Sequence, residues 1–138
     1  MAGIFSILHP NLRPEMMFND TYLWIAQIVA AALFGLAGAM KTTLSPENLV
    51  SKGMSWAGRY PAGSVKIVGW IEILGACGLI FHQLWNIAPI LTPLSALGCA
   101  TIMLLAAIDH LKNGENKNII MNIFLMGLFV YICWGRLF

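Results

Sequence analysis

The sequence predicts an all-α protein: a four-helix transmembrane bundle with a short interfacial amphipathic helix between spans one and two. Three observations lead there. Hydrophobic residues make up 59% of the 138 residues and charged residues 10%, against about 45–50% and about 25% in soluble domains. The apolar residues gather in four long runs, each near the roughly 20 residues that cross a bilayer core. No run sustains the polar–apolar alternation of a strand. The lipid bilayer is therefore the first partner. No nucleic-acid partner is expected, because a net charge of +2 is too small and too scattered.

Residues 1–20 read as an N-terminal tail. MAGIFSILHPNLRPEMM has no basic start, its apolar stretch Ile4–Leu8 is short, and Pro10 and Pro14 follow. That is not the pattern of a cleaved signal. A single membrane domain covers 21–138.

Span one runs from about Thr21 to Lys41, with Asn19 and Asp20 as caps and Tyr22 and Trp24 as interface anchors. The next segment, TTLSPENLVSKGMSWAGRYPAG, is too polar to span. Within it Ser45, Pro46 and Glu47 form a helix start: a cap, a first-turn proline, then an acid at the positive dipole end. Leu49, Val50, Met54 and Ala57 share one face of the helix this predicts, and Tyr60–Pro61 ends it. Span two covers about Ser64 to Gln83, and the short link HQLWNIAP makes spans two and three antiparallel neighbours. Span three covers about Ile90 to Leu111. KNGENKN then marks a turn, and span four runs from about Asn118 to Phe138.

Basic residues set the orientation. The links 42–63 and 112–117 and their flanks hold Lys41, Lys52, Arg59, Lys66, Lys112 and Lys117, whereas the other side has Arg13 and Arg136. Both links are therefore expected in the cytoplasm.

Residues 69–81, GWIEILGACGLIF, place Glu72 in an otherwise apolar span. Depth sorts the other polar residues with it. Glu72 lies roughly 12 Å in from the side of the first link, at about 1.5 Å per residue. Lys41 ends span one on that side, Asp109 and His110 end span three there, and Asn122 lies early in span four. Counting three and four residues from Glu72 gives Gly69, Gly75 and Ala76; from Lys41, Gly38 and Ala37; from His110, Ala106 and Ala107. Small-residue strips are where membrane helices meet, so the polar side chains should face the bundle interior. An acid in mid-span costs about 2.5–3.5 kcal/mol on the insertion scale. A Lys–Glu contact at about 4 Å returns roughly 4 kcal/mol at an effective dielectric of 20. Pairing with Lys41 therefore offsets the burial of Glu72; carrying its proton is the other way to meet it.

Lys41, Glu72, His110 and Asn122 form the candidate intramembrane pocket, suited to a quinone or another ligand. Each has a plain reading beside it. Lys41 can snorkel, His110 can be an interface histidine, Asn122 can hold helices together, and Asp109 reads as a solvated end residue. Gln27, on the opposite half of span one, and His82 are weaker signals. Cys77, Cys99 and Cys133 stand singly on three helices and read as buried apolar residues. His9, His82 and His110 are not expected to converge on a haem. No metal site and no glycine-rich phosphate loop is written here.

GLAGAMK (35–41), GRYPAGSVKIVGWIEILGACGLI (58–80), LTPLSALGCATIMLLAAIDHL (91–111) and NIIMNIFLMGLFVYICWGR (118–136) together resemble the DoxX-like family of small bacterial membrane proteins. The shared features are G-x-x-K ending span one, G-x-x-E in span two, the histidine ending span three and the Asn early in span four. They fall on Lys41, Glu72, His110 and Asn122. The resemblance implies a four-helix protein of the bacterial plasma membrane, and a place in a membrane oxidoreductase complex. The family name derives from a thiosulfate:quinone oxidoreductase subunit.

Three functions follow as alternatives. A quinone-linked redox subunit would hold quinone carbonyls in the pocket, with His110 and Glu72 as proton groups, Lys41 as electrostatic partner, and a partner redox subunit carrying the electrons. A non-enzymatic assembly factor or small-amphiphile binder, acting alone or as a homo-oligomer, would use the same polar group for packing or holding. A proton-coupled transporter is weaker, because no inverted repeat is evident.

Overall fold

The computed structural model describes residues 18–138. Most of the predicted tail, and His9 with it, lies outside the described residues. Four long helices carry the fold: α1 (Asp20–Thr43), α3 (Ala62–Leu84), α4 (Leu91–Lys112) and α5 (Asn116–Leu137). Between α1 and α3 lie α2 (Pro46–Ser51) and a 3-10 helix (Ser55–Arg59). Each long helix is long and apolar enough to cross a membrane. Among the described residues there is no strand.

Local chemistry sets the helix ends. Asn19 Oδ1 accepts from the Thr21 amide at 2.8 Å, capping α1. Ser45 Oγ accepts from the Asn48 amide at 3.3 Å, with Pro46 in the first turn of α2. The predicted amphipathic helix is divided, because Gly53 takes a left-handed φ of +94°. The Met54 amide then donates to Leu49 O at 2.9 Å and the Gly53 amide to Val50 O at 3.0 Å. That pair of bonds is a Schellman stop, and its Leu49–Met54 contact is apolar as the motif requires. The break also rearranges the expected face. Leu49 and Ala57 are buried with Val65, whereas Val50 is 41% exposed.

The helices pack as two close pairs, α1 with α3 and α4 with α5, joined by a lesser α3–α4 contact and a narrow α1–α5 contact. Ala30, Phe34, Leu79, Ala96, Met103, Phe129 and Ile132 are buried between the pairs. Phe34 and Phe129 meet edge to face, centroids 4.7 Å apart. In a bilayer this contact is driven by packing, not by escape from water. The outer surface carries apolar side chains such as Leu74 and Ile120.

Cys77 departs from its predicted burial. It is exposed, in helical register with the exposed Ile67, Trp70 and Leu74 on the outer stripe of α3. Cys99 is buried and Cys133 partly so.

Candidate functional site: an intramembrane polar pocket

α1 and α3 deliver the first pair. Lys41 Nζ stands 2.5 Å from Glu72 Oε1 and 2.6 Å from Oε2. Glu72 is 2% exposed and Lys41 7%. Ten residues separate Glu72 from the start of α3, about 15 Å along the axis. The approach depends on glycines one turn before each residue. A Cβ on Gly38 would stand 2.6 Å from Gly69 O, and one on Gly69 would stand 2.8 Å from Gly38 O. The helix backbones therefore touch there, which brings Lys41 against Glu72. The Trp56 ring, from the 3-10 helix, lies 5.5 Å from the Lys41 ammonium and closes over it.

The end of α4 builds the second group. Gly114, with φ +70°, ends the helix in another Schellman turn: Glu115 N donates to His110 O at 3.0 Å and Gly114 N to Leu111 O at 3.4 Å. This turn folds Glu115 back beside His110, and Glu115 Oε2 bonds His110 Nδ1. The other carboxylate oxygen, Oε1, accepts from Arg59 Nη1 and Ser55 Oγ, each at 2.7 Å. Arg59 also reaches Asp109 Oδ2 at 2.5 Å, and the Tyr60 hydroxyl donates to Asp109 Oδ1 at 2.6 Å. Asp109 is thus tied to the strap of residues 44–61, not free in solvent. Glu115 is held well below the usual carboxylate range, first by Arg59, then by Ser55 and His110. The Arg59 guanidinium is pushed up by Glu115 and Asp109. The strap is bound to α4 by ionised groups.

Between these groups lies empty space. A cavity of about 380 Å³ is bounded by Val68 and Ile71 of α3 and Ile102 and Leu105 of α4, under Trp56 and Tyr60. A second, of about 210 Å³, lies against Phe34 and Ala37 of α1 and Met121 and Leu125 of α5. Lys41, Glu72, His110 and Asn122 line both. The four predicted site residues are thus gathered at one place. Asn122 is 9% exposed, and its Nδ2 is buried without a hydrogen-bond partner. A buried amide left unpaired costs about 1–3 kcal/mol. Among the described residues, no group of three His, Cys, Asp and Glu side chains could hold a metal ion.

The opposite half holds a polar group of its own. Gln27 is fully buried; its Nε2 donates to Leu79 O at 2.5 Å, and its Oε1 accepts from Arg136 Nε at 2.6 Å. Arg136 also pairs with Asp20 at 2.5 Å and lies 5.3 Å from the Trp24 ring. Thr92 of α4 is also fully buried in this half, and its Oγ1 and Arg136 Nη2 have no hydrogen-bond partner; neither cavity is lined by Gln27, Thr92 or Arg136.

Sequence reasoning missed Arg59, Tyr60 and Glu115, and weighted Gln27 too lightly. For Glu115 a signal existed. A glycine four residues after His110 is a C′ residue, and the next position folds against His110. Arg59 and Tyr60 had none, because their partners are set by tertiary placement of the strap.

No curated protein and no solved structure matches the chain. A family model, described as the DoxX-like family, matches residues 25–132, a stretch containing most of both close helix pairs and Lys41, Glu72, His110 and Asn122. The chain belongs to the DoxX-like family.

Proposed function

We propose that the protein binds a small amphiphile in the cavity beside Lys41 and Glu72, and that the ligand class is a quinone. The observation that carries this reading is Asn122: a buried donor without a partner, lining a mostly apolar cavity. Ligand sites have this character, apolar walls with a few convergent polar groups. A cavity of about 380 Å³ lies within the roughly 300–1,000 Å³ range of small-molecule sites. The residues present suit a quinone head. Asn122 Nδ2 would donate to one carbonyl oxygen, Lys41 would supply positive charge, and Glu72 and His110 would hold or release protons. The quinone would supply the redox chemistry; a partner redox subunit would supply electrons.

The same reading sets the protein in the bacterial plasma membrane, with the links 42–63 and 112–117 in the cytoplasm. Lys52, Lys66, Lys112 and Lys117, all exposed on that side, support the orientation.

One observation favours the alternative, a non-enzymatic assembly protein. Lys41 and Glu72 satisfy each other across a glycine contact, as a purely structural pair would. Purification from native membranes, followed by extraction and mass spectrometry, separates the readings. Bound quinone, with an affinity that changes on reduction, is the expected result. Protein that carries no quinone and binds none in either redox state sinks the quinone reading. If Glu72→Gln and Lys41→Met then unfold the bundle, the structural reading replaces it.

A further inference from the structure

Glu115 lines neither cavity, so its contact with His110 can act on a ligand only through the imidazole. We infer that Glu115 is the positioning residue of His110: it accepts from Nδ1–H, the ring turns Nε2 to the cavity as an acceptor, and the cavity selects heads carrying a hydroxyl beside an acceptor for Asn122. The selection clause rests on the reading of the cavity as a ligand site; the role of Glu115 does not.

An ionised carboxylate has no proton to give, so the nitrogen facing it must carry one. Glu115 is kept ionised because Arg59 and Ser55 both donate to its Oε1 at 2.7 Å. That leaves Oε2 turned to His110, supported by longer contacts of 3.4 Å from Arg59 Nη2 and Asn118 Nδ2. The Schellman turn at Gly114 fixes the backbone of both partners, and His110 is 6% exposed, so the ring has little freedom to turn over. In a neutral imidazole with Nδ1 protonated, Nε2 is an acceptor. His110 and Asn122 both line the cavity, and on this inference they take complementary roles there: an acceptor at Nε2 and a donor at the unpartnered Asn122 amide. A ligand with carbonyl oxygens alone satisfies only Asn122. One with a hydroxyl as well satisfies both.

The test has two arms on the full chain in lipid. Nitrogen NMR of histidine-labelled protein, with His110→Gln assigning the signal, reads the tautomer without any ligand. A proton on Nδ1 and none on Nε2 is expected; Glu115→Gln, whose amide can donate to Nδ1, should move the proton to Nε2. Arg59→Ala loosens the strap but keeps the Glu115 carboxylate, and should leave the tautomer unchanged. Wild-type His110 protonated at Nε2, or a tautomer indifferent to Glu115→Gln, overturns the assignment. The second arm titrates dodecyl 4-hydroxybenzoate against its 4-methoxy counterpart. The hydroxyl form should bind about tenfold more tightly to the wild type, and the preference should vanish in Glu115→Gln. Equal wild-type binding overturns the selection. If neither probe binds, the cavity reading and the selection fall together, and the tautomer alone decides Glu115.

Discussion

The two halves of the bundle bury polar groups in different ways. In one, Gln27 bridges the Leu79 carbonyl and Arg136, neither of them lining the two cavities, although Arg136 Nη2 is itself buried without a partner. In the other, Lys41 and Glu72 are paired, but space remains, and Asn122 lines it with its buried Nδ2 unpartnered. The contrast shows that intramembrane polarity alone does not mark a site. A polar residue that closes a helix contact is explained by the fold. A polar residue left unpaired at the edge of a cavity is not explained by the helix contact alone.

Substitutions can sharpen this contrast, the largest effects first. Lys41→Met or Glu72→Gln alone should destabilise the bundle by about 3–5 kcal/mol, because each strands a buried partner. The double variant should recover part of that loss. Reversible unfolding in detergent measures both, and additive losses would mean that the two residues do not act as a pair. Gln27→Leu, in the other half, should cost only about 1 kcal/mol.

Gly38→Ala and Gly69→Ala come next. Each places a methyl group against backbone oxygen, and such overpacking costs about 1–3 kcal/mol. Nothing lies within 4 Å of a Cβ at Gly98, so Gly98→Ala should leave stability unchanged. Equal effects at all three positions would contradict the glycine contact as the basis of the Lys41–Glu72 approach.

The strap should be nearly indifferent to pH. Glu115 titrates below its ordinary 4.5, so its stabilisation is complete above that value and is lost only as pH falls through the lower folded value. Arg59 is raised above its ordinary value by Glu115 and Asp109, so its contribution persists through neutral pH. Protease cleavage within residues 44–61 should therefore stay constant from about pH 5 to about pH 10, and rise at lower pH or in Arg59→Ala. A change in cleavage near neutrality would break this account of the strap.

Much of this was legible in the residues. Span limits followed from the apolar runs to within a few positions, because bilayer thickness fixes helix length. The gathering of Lys41, Glu72, His110 and Asn122 followed from depth and from small-residue faces. What stayed hidden depends on contacts between elements remote in sequence. Arg59 finds Asp109 and Glu115 fifty or more positions away, and nothing local to Arg59 announces it. Cys77 reads as interior from its apolar character alone, although its register with Ile67, Trp70 and Leu74 places it on the outer stripe. Gln27 was set aside because its partners, a backbone carbonyl and Arg136, cannot be read from residue type.

The most direct measurement compares one variant from each half. Asn122→Leu and Thr92→Val each remove a buried group that has no partner, so neither should cost much stability. Their affinities for a decyl-substituted benzoquinone, titrated side by side in lipid nanodiscs, separate cavity from packing. Thr92→Val should bind as the wild type does, and Asn122→Leu should lose about tenfold or more. Equal affinity of Asn122→Leu and wild type would contradict the cavity reading.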